Sequence, residues 1–119
     1  MLRIIHADDR EMMRHAIAQF MLRNPNITMV AQASSGNELL QKLQVIETDL
    51  VLTDWNMPGV DGEELIGRIK NTFPSVPILV HSADDDAHTR NRALNAGASS
   101  FISKNCPPKI LLQAILGTA

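Results

Sequence analysis

Residues 49–59, "DLVLTDWNMPG", decide how the rest of the chain is to be read. Leu50, Val51 and Leu52 form an apolar run with almost no alternation, as a strand covered on both faces requires. Asp54 closes the run, and Pro58 and Gly59 then force a turn that presents the carboxylate instead of covering it. A buried strand tipped by an acid and followed by a turn predicts the centre of an open sheet with chemistry at its carboxyl edge.

Four further runs share this β-branched, apolar character: "LRIIHA" (2–7), "ITMVAQAS" (27–34), "VPILVHS" (76–82) and "SSFISK" (99–104). Helical spacing fills the intervals. Met13, Ile17, Phe20 and Met21 recur on one face until "RNPN" stops the pattern, and Leu39, Leu40, Leu43 and Ile46 do the same in "GNELLQKLQVI". Leu65, Ile66 and Ile69 mark a third helix that ends by Pro74. "DAHTRNRALNAG" (86–97) opens on an aspartate suited to capping and closes on a glycine suited to the C′ position, while "PPKILLQAIL" (107–116) opens on prolines suited to a first turn. Repeated βα units with short connections predict an α/β fold, a parallel sheet with helices on both faces. No linker or repeat interrupts the pattern, so residues 1–119 are expected to form one domain.

Composition narrows the function classes. The chain is 45% apolar and 20% charged, the profile of an ordinary globular domain, and 11 basic against 13 acidic residues give a net charge of −2. That balance argues against direct nucleic-acid binding by this domain. No stretch is apolar enough to span a bilayer, so no membrane partner and a cytoplasmic location are expected. The single Cys106, beside Pro107 and Pro108, has no intrachain partner and receives no role.

Placed on the sheet, the polar strand ends converge. Asp8 and Asp9 follow the first strand, Asp54 the third, Ser82 ends the fourth and Lys104 the fifth. Each has an ordinary structural role when taken singly: a helix cap for the Asp pair, a turn-former for Asp54, a solvated charge for Lys104. Four different strands selecting one edge favour a site instead. Three carboxylates there repel one another unless a cation joins them, and their hard oxygens suit Mg²⁺. His6, His15, His81 and His88 have no zinc-binding spacing and are read as surface or packed residues. With the ion present, Asp54 is placed to act as nucleophile toward phosphorus, with Lys104 and the Ser82 hydroxyl able to pair with phosphoryl oxygens.

"ADD" (7–9), "TDWNMPGVDG" (53–62), "HSA" (81–83) and "SFISK" (100–104) resemble, in order and spacing, the receiver domain of two-component response regulators. The resemblance covers essentially the whole chain. It implies a flavodoxin-like, doubly wound sheet of five parallel strands in the order 2-1-3-4-5 with five helices. It further implies that Asp54 is the phosphoacceptor of a sensor histidine kinase or phosphotransfer protein. Asp9, Asp54 and the main-chain carbonyl of Asn56 would then hold Mg²⁺ directly, with Asp8 acting through water. Ser82 and Phe101 correspond to the switch hydroxyl and rotating aromatic, and Lys104 to the phosphate-pairing lysine. Such a domain is not an enzyme in the ordinary sense, although it assists its own phosphorylation and dephosphorylation.

This sequence departs from the family pattern at three places: Ser82 stands where threonine is common, Phe101 where tyrosine is frequent, and Asn105 where proline usually follows the lysine. The last leaves the geometry of the Lys104–Asn105 bond open. "KNCPPKILLQAI" is more similar to receivers that precede a DNA-binding output domain of the NarL/LuxR kind, whereas "DWNMP" is more similar to stand-alone chemotaxis receivers. Phosphorylation is expected to reshape the face of the fourth helix, fifth strand and fifth helix and so to control an output such as transcription. Ile110 and Leu116 exceed what one buried stripe needs and mark a candidate homodimer or partner surface. The competing reading is an aspartyl-phosphate phosphohydrolase, which would want an acid where Asn56 stands.

Overall fold

Strand and helix alternate five times in the computed structural model, which describes residues 1–119. The elements are β1 (Leu2–Ala7), α1 (Glu11–Leu22), β2 (Ile27–Ala33), α2 (Gly36–Val45) and β3 (Leu50–Thr53), followed by α3 (Gly62–Thr72), β4 (Ile78–Ser82), α4 (Ala87–Ala96), β5 (Ser100–Ser103) and α5 (Pro108–Thr118). All strands are parallel, in the order β2-β1-β3-β4-β5. The chain reverses direction across the sheet after β2, so β1 and β3 lie side by side and the carboxyl ends of β1, β3, β4 and β5 gather along one edge.

Local sequence sets the helix ends. At α2 the Ser35 hydroxyl accepts from Glu38 N at 3.2 Å while the Glu38 carboxylate accepts from Ser34 N at 2.9 Å, a reciprocal cap. Asp86 caps α4 by accepting from Thr89 N at 2.8 Å, and Gly97 ends that helix at φ +123°, where a side chain would be strained. Pro107 and Pro108 open α5, where a missing N–H costs nothing.

Alternation along the strands divides the core in two. Ile4, Leu50, Leu52 and Leu79 point to one side and pack with Ile17 and Met21 of α1 and Leu111 and Ile115 of α5. Ile5, Val51, Ile78 and Val80 point to the other and pack with Leu39, Leu65, Ile66 and Ala93 of α2, α3 and α4. Leu50, Val51 and Leu52 are fully buried, which fits the unbroken apolar run, and each such side chain contributes about 2 kcal/mol of transfer free energy. Ile46, assigned by spacing to the α2 face, instead lies just past the helix in extended backbone. Its N–H still reaches Lys42 O, and its side chain packs against the core as the chain turns toward β3. Every peptide bond is trans, including Lys104–Asn105. No helix is long and apolar enough to cross a membrane.

Candidate phosphoacceptor site

The two adjacent aspartates after β1 differ sharply. Asp8 is completely buried: its Oδ1 accepts from Arg10 N at 2.9 Å, and its carbonyl accepts from the Arg14 guanidinium at 2.9 Å. Asp9 is exposed. The N-cap of α1 is Arg10, which makes no side-chain capping bond, so neither acid serves as the helix cap. Asp8 fixes the turn and leaves Asp9 facing the open edge.

At the tip of β3 the Asp54 N–H donates to Ala7 O at 2.9 Å, which ties the acid's backbone to β1. On the opposite flank Lys104 N donates to Ser82 O at 2.8 Å, which ties the lysine to β4. The Lys104 ammonium then crosses the gap, 2.7 Å from Asp8 Oδ2 and 3.2 Å from Asp54 Oδ2, with all three side chains nearly closed to water. The site expected from the strand ends is thus brought together, with Asp8 taking the shorter contact to Lys104.

The electrostatics are unbalanced. Burial pushes the Asp54 carboxyl above the usual carboxylate range, the Lys104 ammonium opposes that shift, and the neighbouring Asp8 adds to it. One lysine cannot neutralise two buried acids and the adjoining Asp9. Asp8, Asp9 and Asp54 each offer an oxygen, all within 4.8 Å of one another, and no other group of three acids, histidines or cysteines in the chain comes as close. An all-oxygen, carboxylate-rich donor set with unneutralised charge fits a hard divalent cation such as Mg²⁺.

Around this centre the loops are organised by residues that sequence reading used only in part. Ser82 is fully buried, and its Oγ accepts from Asp84 N at 3.0 Å, which leaves the hydroxyl proton free to be donated. Asn56 donates from its side-chain amide to Asp84 Oδ2 at 2.9 Å and so bridges the loops after β3 and β4 across the mouth of the site. Phe101 is already buried, with the Arg90 guanidinium 5.3 Å from its ring centroid. Trp55, unassigned by the sequence reading, packs so tightly on Gly62 that a Cβ there would lie 2.7 Å from Trp55 O. Arg92 of α4 lies 5.5 Å from the Trp55 ring and also pairs with Glu63 of α3. The only sequence cue to this cluster was the glycine at the start of a helix, directly after an acid.

The four histidines divide as a packed pair and an exposed pair: His6 and His81 are buried, His15 and His88 exposed. Burial pushes both His6 and His81 down to about 4, so both rings are neutral near pH 7. Cys106 is a free, partly buried thiol whose pKa burial raises, away from the reactive range.

Comparison with known proteins identifies the family. Residues 4–116 match the response regulator receiver domain. The transcriptional activator protein ExaE of Pseudomonas putida is 34% identical over 94% of this chain and 52% of its own length. The nitrate/nitrite response regulator protein NarL of Escherichia coli is 32% identical over the same shares. The chain therefore spans about half the length of these curated relatives. A LuxR-family two-component response regulator from an Aurantimonas species superposes with a TM-score of 0.91 at 28% identity, over 97% of this chain and 82% of that one. The chain belongs to the response regulator receiver domains, and its likeness runs to regulators of the NarL/LuxR type.

Proposed function

We propose that Asp54 is the phosphoacceptor of this signalling domain, supplied by a sensor histidine kinase or a phosphotransfer protein. The observation that carries the reading is the pairing of a buried nucleophile with one shared cation: Lys104 reaches both Asp8 and Asp54, and charge is left over. An Asp54 carboxylate oxygen forms a bond to phosphorus as the bond to the donor nitrogen breaks, and the departing imidazole keeps that electron pair. Lys104 moves from the carboxylates toward the incoming phosphoryl oxygens, and Ser82 donates its free proton to another. Asp9, Asp54 and the Asn56 carbonyl would hold Mg²⁺, with Asp8 through water, and the ion would neutralise charge on the transferring group.

Phosphorylation adds about −1.5 to −2 charge at a buried point. Ser82 and the Asp84 loop follow the new oxygens, and the adjoining α4, β5 and α5 surface changes with Phe101 beneath Arg90. Ile110 and Leu116, both close to half exposed on α5, are the surface we assign to self-association. Introducing a charge there, as Leu116→Glu, is expected to abolish any phosphorylation-dependent dimer in sedimentation velocity. In a longer chain the output would be a DNA-binding domain controlling transcription, with the whole regulator in the cytoplasm. Acetyl phosphate with Mg²⁺ followed by intact mass tests the central step: one phosphoryl adduct is expected on the wild type. No adduct, or equal labelling of Asp54→Asn, overturns it.

A further inference from the structure

Little apolar surface seats α4 on the sheet. Its only buried residues are Thr89 and Ala93, two small side chains, and Leu94 stands more than a third exposed. Residues two apart on a helix point roughly 200° apart, so Arg90 and Arg92 leave opposite flanks of α4. Arg90 lies over the Phe101 ring of β5, while Arg92 lies over the Trp55 ring and pairs with Glu63 in the first turn of α3. Each arginine thus holds one side of a helix that packing alone holds weakly. The Trp55 side leads directly to the site. Trp55 follows Asp54 in the chain, and Asn56 N donates to Asp54 Oδ1 at 3.4 Å, so the backbone on both sides of this residue belongs to the phosphoacceptor loop. Trp55 is buried against Gly62, where a Cβ would lie 2.7 Å from its carbonyl oxygen and 2.8 Å from its ring. Packed so closely, the ring cannot absorb a shift of the loop by itself.

We propose that Arg92 is a positioning residue that links the phosphoacceptor loop to α4, with the buried Trp55 ring as the part it follows. A new group on Asp54 rearranges residues 54–56 and carries the Trp55 ring with them. Arg92, held on that ring, then draws its flank of α4 along and shifts the helix against α3. This route is separate from the Asp84 loop, which is bound to Asn56 and leads into α4 through the Asp86 cap of its first turn. Two attachments, one at the start of the helix and one on its flank, can rotate α4 where a single one could only pull it. The trigger rests on the phosphoacceptor reading above, whereas the link from Trp55 to α4 does not.

The chain has a single tryptophan, so one indole resonance reports Trp55 alone. The test follows that resonance and the backbone amide shifts of the whole chain under acetyl phosphate and Mg²⁺, with intact mass to establish the adduct. In the wild type the indole and the amides of residues 91–96 should move together as the adduct forms. Arg92→Met should shrink the response of residues 91–96 about two- to fivefold, the weight of one partly exposed cation–π contact, while the indole still moves. Arg92→Lys, which keeps the cation, should restore much of it, and Glu63→Gln should leave it in place. A response of full size in Arg92→Met, or an equal loss in Glu63→Gln, overturns the proposal. Gly62→Ala tests the link without phosphorylation. Residue 62 has no positive φ, so the added Cβ leaves the backbone unstrained and displaces Trp55 instead. The amides of residues 91–96 should then move in the unlabelled chain, and should stay still when Arg92→Met is added. A displaced indole with unmoved α4 amides overturns the link. Failure of the wild type to form an adduct would instead sink the phosphoacceptor reading and leave the Gly62→Ala comparison to decide this one.

Discussion

Two cations on this sheet each hold a pair of carboxylates, one at either end of the strands. At the amino end Arg3 donates from Nε and Nη2 to Asp49 at 3.0 Å each and from Nη1 to Glu47 at 2.6 Å. At the carboxyl end Lys104 contacts Asp8 and Asp54. The formal charge is the same, one positive against two negative, but the surroundings differ. Arg3 and its partners stand partly or largely in water, which finishes solvating the excess charge, whereas the Lys104 cluster is nearly sealed. Sealed, the same stoichiometry becomes a demand for one more cation or proton. The amino-end cluster fastens β1 to the chain entering β3; the carboxyl-end cluster is poised for a ligand.

Chemistry separates the two ends most completely. Asp54→Asn should lose the phosphoryl adduct altogether by intact mass, while Asp49→Asn should label like the wild type; labelling lost equally in both would erase the distinction.

Removing the cation comes next. Lys104→Met strands two buried acids and is expected to cost on the order of 3 kcal/mol in urea unfolding, part of it recovered by Mg²⁺. Arg3→Met should cost clearly less, and its effect should fade as salt rises. A larger loss at Arg3 than at Lys104 would reverse the comparison.

The smallest effects are in pH, where the two ends have opposite signs. The Arg3 hydrogen bonds pull Asp49 down to about 2, so its stabilisation is complete above the unfolded value near 4 and disappears as pH falls toward 2. Asp54 is raised by burial, so its penalty is absent below about pH 4 and grows as pH rises through the folded value. Asp54→Asn should therefore raise Tm at neutral pH by a margin that vanishes on acidification, and Asp49→Asn should lower it. Tm differences of the same sign would contradict the assignment.

Strand tips were legible because an unbroken apolar run ending in an acid fits little besides a buried strand with a polar tip, and Asp54, Ser82 and Lys104 all lay where that logic put them. The inequality of Asp8 and Asp9 was legible only through the family resemblance and not from the residues themselves, since two identical neighbours differ only through the turn that buries the first under Lys104. Nor was the Arg3 cluster, which depends on Asp49 N meeting Arg3 O at 2.8 Å, a pairing between segments 46 residues apart. The Trp55, Gly62 and Arg92 stack needs α4 to lie beside α3, and helix adjacency is set by sheet order and not by any one segment.

Backbone bonds also split the carboxyl edge mechanically. Asp54 is stitched to β1 through Ala7, Lys104 is stitched to Ser82, and the paired register of β3 with β4 stops at Thr53 and Val80, with no backbone bond from Asp54 to β4. The edge is thus a seam between two separately anchored flanks, spanned at its tip by the Lys104 ammonium and at its mouth by the Asn56–Asp84 hydrogen bond. A group bound there pulls on both banks at once, so the width of that seam is the quantity through which occupancy would be felt by the rest of the molecule.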